Sequence, residues 1–154
     1  METLNRRQFV AAAASAAAAC ACAVCPNQLA HAAQARSAPV DIGKPADFPA
    51  DGLWDNWLRQ GFFVARREKR LYAMLAECSH RGGRLAQDRN EKGRLICTKH
   101  KGLFDAEGTP TGGPPTDPLV RLGISLKEGR IIVDPSTQFG AAHLDDAGAF
   151  ISVE

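Results

Sequence analysis

The chain has 154 residues, a length typical of a single domain. Its formal net charge of +2 excludes both the strongly basic character of a nucleic-acid-binding protein and that of a highly acidic carrier. Hydrophobic residues make up 45% of the chain, but an alanine run near the N-terminus inflates that figure, and the remainder is a polar domain with a modest core. Small domains of this kind often need a disulfide or a bound metal for stability.

The N-terminal segment resembles an export signal of the twin-arginine class. Arg6 and Arg7 precede a polar residue, a bulky apolar residue and a weakly hydrophobic, alanine-rich run. Small residues offer A-x-A cleavage sites that end at Ala32 or, as a second choice, at Ala35. We therefore expect residues 1–35 to be a signal peptide, read by the twin-arginine export machinery, and the mature protein to be periplasmic.

Residues 9–25 could instead remain as an uncleaved membrane anchor. Their 17 residues are at the short limit for crossing a bilayer, and alanine contributes little apolar driving force. A cytoplasmic helix is a third interpretation, which fits the arginine pair poorly. The resemblance to twin-arginine signals implies export of a folded protein, often with its cofactor already inserted, and this suits a metal centre assembled in the cytoplasm.

The body of the chain, residues 36–134, is predicted to be all-β. Short apolar runs bounded by turn residues predict the strands. They lie at residues 40–42, 62–65, 71–76, 93–97, 119–126, 130–134 and 149–153. The charged segment 66–70 is expected to be the turn of a first hairpin, and Glu128-Gly129 that of a second. Residues 135–154 are expected to form a C-terminal tail that carries the last of these strands.

Two connections between predicted strands each combine a cysteine with a histidine. The stretch "CSHRGG" contains Cys78 and His80, and the stretch "CTKHKG" contains Cys97 and His100. These are the only cysteines outside the predicted signal peptide. Two thiolates with two imidazoles suit a four-coordinate zinc site or an iron–sulfur cluster. A disulfide between the cysteines is another interpretation, but it gives the paired histidines no role.

The order C-x-H, 16 intervening residues and C-x-x-H resembles the Rieske [2Fe-2S] family. Further residues support the resemblance over residues 40–134. They are Gly82 and Gly83 after the first half, Gly102, Phe104 and Asp105 after the second, and the proline loop "GGPPTDPL" at residues 112–119. The resemblance implies a Rieske-type antiparallel β-sandwich with a small cluster-binding subdomain made of two loops and a proline loop.

Carried over to this chain, the family's ligand set assigns Cys78 and Cys97 to one iron of a [2Fe-2S] cluster. His80 and His100 are assigned to the other iron. No residue is expected to be catalytic, because such a protein relays single electrons rather than converting a substrate. A structural Cys2His2 zinc site is the alternative, and it gives no role to the glycines or the proline loop.

The resemblance also carries an expectation for the reduction potential. High-potential Rieske subunits of quinol-oxidising complexes have an extra cysteine in each loop, joined as a disulfide, and those positions here are Gly83 and Lys99. A serine and a tyrosine that donate hydrogen bonds in those subunits are replaced by Gly102 and Phe104. We therefore expect a potential in the lower half of the Rieske range of about −150 to +300 mV, as in Rieske-type ferredoxins.

Basic side chains are concentrated between the two cysteines. Residues 81–101 contain seven basic residues but only Asp88 and Glu91 as acids. Because Rieske histidines lie near the surface, a basic rim around them would steer an acidic partner. The expected partner is a larger oxidoreductase subunit or a cytochrome, and no nucleic acid is expected. A membrane is expected as a partner only if the signal is retained.

The sequence as a whole indicates an exported electron-transfer protein, the small subunit of a periplasmic oxidoreductase. The arsenite-oxidase type of enzyme is an example, because its small subunit is a twin-arginine-exported Rieske protein. One alternative is the Rieske subunit of a quinol-oxidising cytochrome bc complex, which needs a membrane anchor. The other alternative is the structural zinc protein.

Overall fold

The structure is a computed structural model that describes residues 38–154. The predicted signal peptide, its cleavage sites and the alternative membrane anchor lie outside the described residues. Within the described part of the chain, no helix is long and apolar enough to cross a membrane. Residues 38–154 all belong to one compact unit.

The described residues form eleven β-strands and two 3-10 turns, at Pro45–Asp47 and Ala141–His143. The strands are β1 (Val40–Gly43), β2 (Gly52–Trp54), β3 (Phe62–Arg67), β4 (Arg70–Leu75), β5 (Leu85–Gln87), β6 (Leu95–Cys97), β7 (Leu103–Phe104), β8 (Pro110–Gly112), β9 (Arg121–Lys127), β10 (Arg130–Phe139) and β11 (Ile151–Ser152). They form two antiparallel sheets. The larger has the order β1-β10-β9-β4-β3-β2, with β11 beside β4, and the smaller has the order β5-β6-β7-β8. The all-β prediction is confirmed.

Both predicted hairpins are present, and each closes with a two-residue turn. Glu68 and Lys69 join β3 to β4 with φ of 48° and 68°, and Glu128 and Gly129 join β9 to β10 with φ of 50° and 77°. Positive φ at both turn residues gives the twist that matches paired strands. The first turn is therefore shorter than the expected segment 66–70, whose remaining residues lie in the strands.

Strands β3 and β4 are buried on both faces and separate two apolar cores. The first core lies on one face and the second core on the other, because side chains alternate along each strand. The first core contains Phe62, Val64, Leu71, Ala73, Leu122, Ile131 and Val133 among others. The second core contains Phe63, Ala65, Tyr72, Met74, Cys78, Leu85, Leu95, Cys97, Phe104 and Leu119 among others. Two of the predicted metal ligands, Cys78 and Cys97, therefore lie in the second core.

The segment predicted as a C-terminal tail contributes to the larger sheet. Strand β10 continues to Phe139 across an irregularity between Asp134 and Gln138, where the Asp134 carboxylate accepts hydrogen bonds from Ser136. Proline fits such a bulge because it has no N–H to donate to the ladder, so Pro135 does not end the strand. Val153 then packs into the first core.

Candidate metal centre

Two six-residue loops carry the four predicted ligands. The first loop, residues 78–83, joins β4 to β5, and the second loop, residues 97–102, joins β6 to β7. In each loop the cysteine N–H donates to the carbonyl of the sixth residue, at 2.8 Å in both. The fifth residue donates to the cysteine carbonyl, at 2.9 Å in the first loop and 3.0 Å in the second. The two loops are therefore the same backbone turn.

The fifth residue of each turn has a left-handed backbone. Its φ is 59° at Gly82 and 58° at Lys101. Glycine adopts this conformation without steric cost, whereas a side chain at this position is strained. The first loop has a glycine, Gly82, at this position. The second loop has Lys101 there and therefore carries the strain.

The smaller sheet places the two loops side by side. Leu85 on β5 pairs with Cys97 at the end of β6, so the first loop leads directly to the strand beside the second. Thr98 adds a cross-link, since its backbone N–H and its Oγ1 both donate to the Arg84 carbonyl, at 2.9 Å and 3.0 Å. The ligands, distant in sequence, therefore converge.

The two thiols lie together on the inner side of the loops. Cys78 is 4% exposed and Cys97 is 1% exposed, and neither forms a disulfide with another described residue. The two thiols are close enough to affect each other's pKa, which is raised for Cys78 and lowered for Cys97. Two neighbouring buried sulfurs suit two ligands of one metal ion.

The two imidazoles form a second pair, on the outer side. The ring centroids of His80 and His100 are 5.3 Å apart, with 69° between the ring planes. His100 is exposed and His80 is half-buried. Nδ1 of His80 is buried and has no hydrogen-bond partner within residues 38–154, an arrangement that is costly unless the nitrogen binds something else. A metal ion is a common partner of a neutral imidazole nitrogen.

Backbone N–H groups aim at both sulfurs. Burial raises the pKa of the Cys78 thiol, and the N–H groups of His80 and Arg81 oppose that effect. Burial also acts to raise the pKa of Cys97, but the N–H groups of His100 and Lys99, together with the Cys78 thiol and the charge of Lys99, outweigh it, so the pKa of Cys97 is lowered. Donors of this kind stabilise a thiolate, which is the form that binds metal.

Glycine ends each loop because there is no room for a side chain. A Cβ at Gly83 would lie 2.7 Å from Sγ of Cys97, and one at Gly102 would lie 2.8 Å from the ring of Pro115 and 3.7 Å from Sγ of Cys78. The sixth residue of each loop thus faces the cysteine of the other loop. At both sulfurs, the last residue of the opposite loop can approach only because it has no side chain.

The proline loop covers the second loop from one side. A Cβ at Gly113 would lie 2.9 Å from Cα of Gly102, so these two backbones are in direct contact. Pro115 is buried. The proline loop is also linked to the first loop, because Oγ of Ser79 donates to the Asp117 carbonyl at 2.6 Å.

The basic residues between the cysteines fall into two groups rather than one rim. The pairing of β5 with β6 puts the 88–94 turn at the opposite end of the ladder from the cysteines. There, Arg94 pairs with Asp88 and Glu91. The exposed side chains of Arg81 and Arg84, and of the two lysines of the second loop, form no ion pair with another described residue. Only this second group belongs to the metal-site end.

Comparison with known protein families identifies the family of this chain. The model of the Rieske [2Fe-2S] domain family matches residues 38–131. The chain belongs to the Rieske family. Membership in the Rieske family implies a [2Fe-2S] cluster, and the expectations of an iron–sulfur electron-transfer protein and of a Rieske-type β-fold are confirmed.

Individual relatives span different shares of the chain. The chain is 41% identical to carotenoid phi-ring synthase of Chlorobaculum tepidum over 61 residues, which are 40% of this chain and only 9% of that protein. Among solved structures it resembles the plasma membrane Rieske protein PetC3 of Synechocystis PCC 6803, with a TM-score of 0.46, 23% identity and coverage of 62% of this chain and 98% of that one. A chain from the complex of reduced oxygenase and oxidized ferredoxin in carbazole 1,9a-dioxygenase gives a TM-score of 0.44 and 22% identity, and the match covers 64% of this chain and 94% of that one.

The residues present fit a Rieske cluster. The four side chains sort into a buried thiol pair and an outer imidazole pair, and His80 Nδ1 has no other partner. Among the described residues, no group of three or more His, Cys, Asp and Glu side chains is placed to hold a single ion. The assignment of Cys78, His80, Cys97 and His100 as ligands stays a prediction that this geometry is consistent with.

Sequence reasoning missed the residues that support the ligands. The hydroxyls of Ser79 and Thr98 follow the two cysteines and connect the loops to their neighbours. The repeated order cysteine–hydroxyl residue in "CS" and "CT" was the available signal. The contact of Lys99 with Gly83 had a signal only in the family resemblance, since these are the positions of the disulfide that joins the two loops of high-potential Rieske subunits.

Proposed function

We propose that this chain is an exported electron-transfer protein and the small subunit of a periplasmic oxidoreductase, with Cys78, His80, Cys97 and His100 as the cluster ligands. The observation that carries the ligand assignment is the sorting of the four side chains into an inner thiol pair and an outer imidazole pair. Two protein ligands for each of two irons need such a sorting. One converging set of four would suit zinc.

The chain's own residues would hold and insulate the group. The buried thiols of Cys78 and Cys97 bind on the side of the second core, where water is excluded. The exposed His100 and half-buried His80 bind on the outer side, where a partner can approach. When bound, the cluster supplies one-electron oxidation and reduction. Backbone N–H groups beside the sulfurs stabilise the additional negative charge.

Electrons would leave through the histidine end, beside an exposed basic group. Arg81, Lys99 and Lys101 are neighbours of the two histidines in sequence and lack ion-pair partners among the described residues. Unpaired positive charge at this end favours encounter with an acidic surface on a redox partner. The partner would be a larger oxidoreductase subunit or a cytochrome.

Export by the twin-arginine route rests on the sequence of the first 35 residues. Replacement of Arg6 and Arg7 by lysine should trap the precursor in the cytoplasm, as cell fractionation would detect. Normal periplasmic accumulation of that variant would reject this route. An uncleaved product in the membrane fraction, together with quinol-linked turnover, would favour the cytochrome bc alternative.

An EPR spectrum of the reduced protein tests the electron-transfer assignment. We expect the low average g value of a cluster with mixed Cys/His ligation, and a redox titration of the same signal should give a one-electron midpoint below about +75 mV, the middle of the Rieske range. Colourless protein with one stoichiometric zinc and no acid-labile sulfide would reject the assignment. Co-purification from periplasm with a larger oxidoreductase subunit would support the subunit role, and recovery as a lone monomer that reduces a soluble enzyme would reject it.

A further inference from the structure

The two loops meet at a single point beside the sulfur of Cys97. A Cβ built at Gly83 would lie 2.7 Å from Sγ of Cys97, 3.0 Å from Cβ of Lys99 and 3.6 Å from Cδ of Lys99. The thiol, the backbone of the first loop and the side chain of the second loop therefore share one contact. A solvent path to the sulfur from this side would run between Gly83 and Lys99.

The aliphatic part of Lys99 closes this path. Both its Cβ and its Cδ face Gly83, so three methylene groups lie along the neighbouring loop, while the residue as a whole is exposed. Lysine commonly packs its stem on a surface and keeps its ammonium group in water. The stem thus covers the junction, and the charge remains at the edge of the metal site.

Lys99 also brings a positive charge close to Cys97. Its stem lies against Gly83 at the same point as the Cys97 sulfur, so the charge at the end of the stem is near this predicted ligand. The first loop has no equivalent side chain. Its third residue is His80, a predicted ligand, whereas the third residue of the second loop is Lys99. Only the second loop therefore has a third-position side chain that is available for this role.

We propose that Lys99 is a positioning residue for the cluster, whose stem seals the junction of the two loops over Cys97 and whose ammonium group favours the reduced state. The proposal rests on the proposed function, because it takes Cys97 as a ligand. The stem and the charge are separable by substitution. Lys99→Met keeps an unbranched stem and removes the charge, whereas Lys99→Ala removes both.

Two measurements on the cluster-loaded full chain test the proposal. The first is the rate of cluster loss, followed by bleaching of visible absorbance under air with a chelator. We expect about tenfold faster loss in Lys99→Ala and a nearly unchanged rate in Lys99→Met, because only the alanine variant opens the junction. The second is the midpoint potential from a redox titration of the EPR signal. We expect both variants to show a lower equilibrium constant for reduction by a fixed donor, about threefold at low ionic strength and less at high salt.

The matched controls are Lys92→Ala and Lys92→Met, in the exposed turn at the far end of the β5–β6 ladder. Both should keep the wild-type rate and potential. Wild-type lifetime in Lys99→Ala, or equal loss in the alanine and methionine variants, would overturn the role of the stem. A wild-type potential in Lys99→Met, or an equal change in Lys92→Met, would overturn the role of the charge. A wild-type protein without a mixed-ligand EPR signal would instead reject the proposed function itself.

Discussion

The two ligand loops have the same backbone but present their side chains in opposite order. Both turns are closed by the same two hydrogen bonds and have a left-handed fifth residue. The third and fourth residues are His80 and Arg81 in the first loop, but Lys99 and His100 in the second. At these two positions each loop therefore contributes one imidazole and one cation. The one-residue offset between C-x-H and C-x-x-H thus reflects a different choice of position within one turn rather than a different turn.

The loops differ in how they are supported. The second loop is covered by the proline loop, through the contact of Gly102 with Gly113 and Pro115. The first loop borders an open cleft of about 380 Å³, lined in part by Glu77, Gly82 and Arg84. The two loops share a backbone conformation but have different neighbours. The same substitution made in both loops therefore distinguishes the requirements of the turn from those of the surrounding residues.

Removal of either cysteine should have the largest effect, and the same effect in both loops. Cys78→Ala and Cys97→Ala are each expected to abolish cluster incorporation, because each removes half of the thiolate pair. The measurement is the iron and acid-labile sulfide content of purified protein. His143→Asn is the control, since that exposed histidine pairs with Asp146 away from the loops and should keep full content. A cysteine variant with wild-type iron and sulfide would remove that residue from the ligand set.

Alanine in place of the last glycine should harm the two loops in different ways. In Gly83→Ala the new methyl group meets Sγ of Cys97, and in Gly102→Ala it meets the ring of Pro115. We expect Gly83→Ala mainly to lower cluster content and Gly102→Ala mainly to lower the free energy of unfolding by about 1–3 kcal/mol, since overpacking in each case strains a different neighbour. Gly140→Ala is the control, because its Cβ would contact nothing within 4 Å. Identical profiles for the two loop variants would contradict this difference in support.

The sequence was most informative where local pattern and local structure coincide. The short apolar runs of β3 and β4 and the turn residue Gly129 predicted two hairpins, and the spacing of cysteine and histidine predicted both loops. The two-residue and three-residue strands β2, β5, β7 and β8 were missed, because so few residues carry no periodic signal. Their pairing depends on contacts with chain far away in sequence.

Other features required the tertiary structure. The first four residues of strand β3 are all apolar, so its sequence does not indicate that Phe62 and Phe63 belong to different cores. The basic residues of segment 81–101 are contiguous in sequence, but the antiparallel pairing of β5 and β6 separates Arg94 from Lys99 along the ladder. The sequence of a strand shows which side chains face the core only when the other face is polar and the pattern alternates.

Substitution of the fifth residue should shift stability in opposite directions in the two loops. Gly82→Ala places a Cβ in open space, with only Glu77 at 3.9 Å, so its cost of about 1–2 kcal/mol comes from the left-handed backbone. Lys101→Gly relieves the same strain and should stabilise by about 0.5 kcal/mol, because the greater freedom of the unfolded chain offsets part of the gain. Urea unfolding with an unchanged m-value is the measurement. Lys101→Ala, which removes the charge but keeps the Cβ, should show no gain, and a gain equal to that of glycine would assign the effect to charge instead of strain.

The hydroxyls that follow the two cysteines should give the smallest difference. Ser79→Ala removes the 2.6 Å hydrogen bond to the Asp117 carbonyl, and with it a direct link between the first loop and the proline loop. Thr98→Val removes a 3.0 Å bond to the Arg84 carbonyl, but that carbonyl still accepts the Thr98 N–H at 2.9 Å. We therefore expect a cost of about 1 kcal/mol for Ser79→Ala and about half of that or less for Thr98→Val, measured by urea unfolding. If Thr98→Val proves the more costly, the Thr98 hydroxyl does more than duplicate its own N–H, and the contact between the loops would matter more than the link to the proline loop.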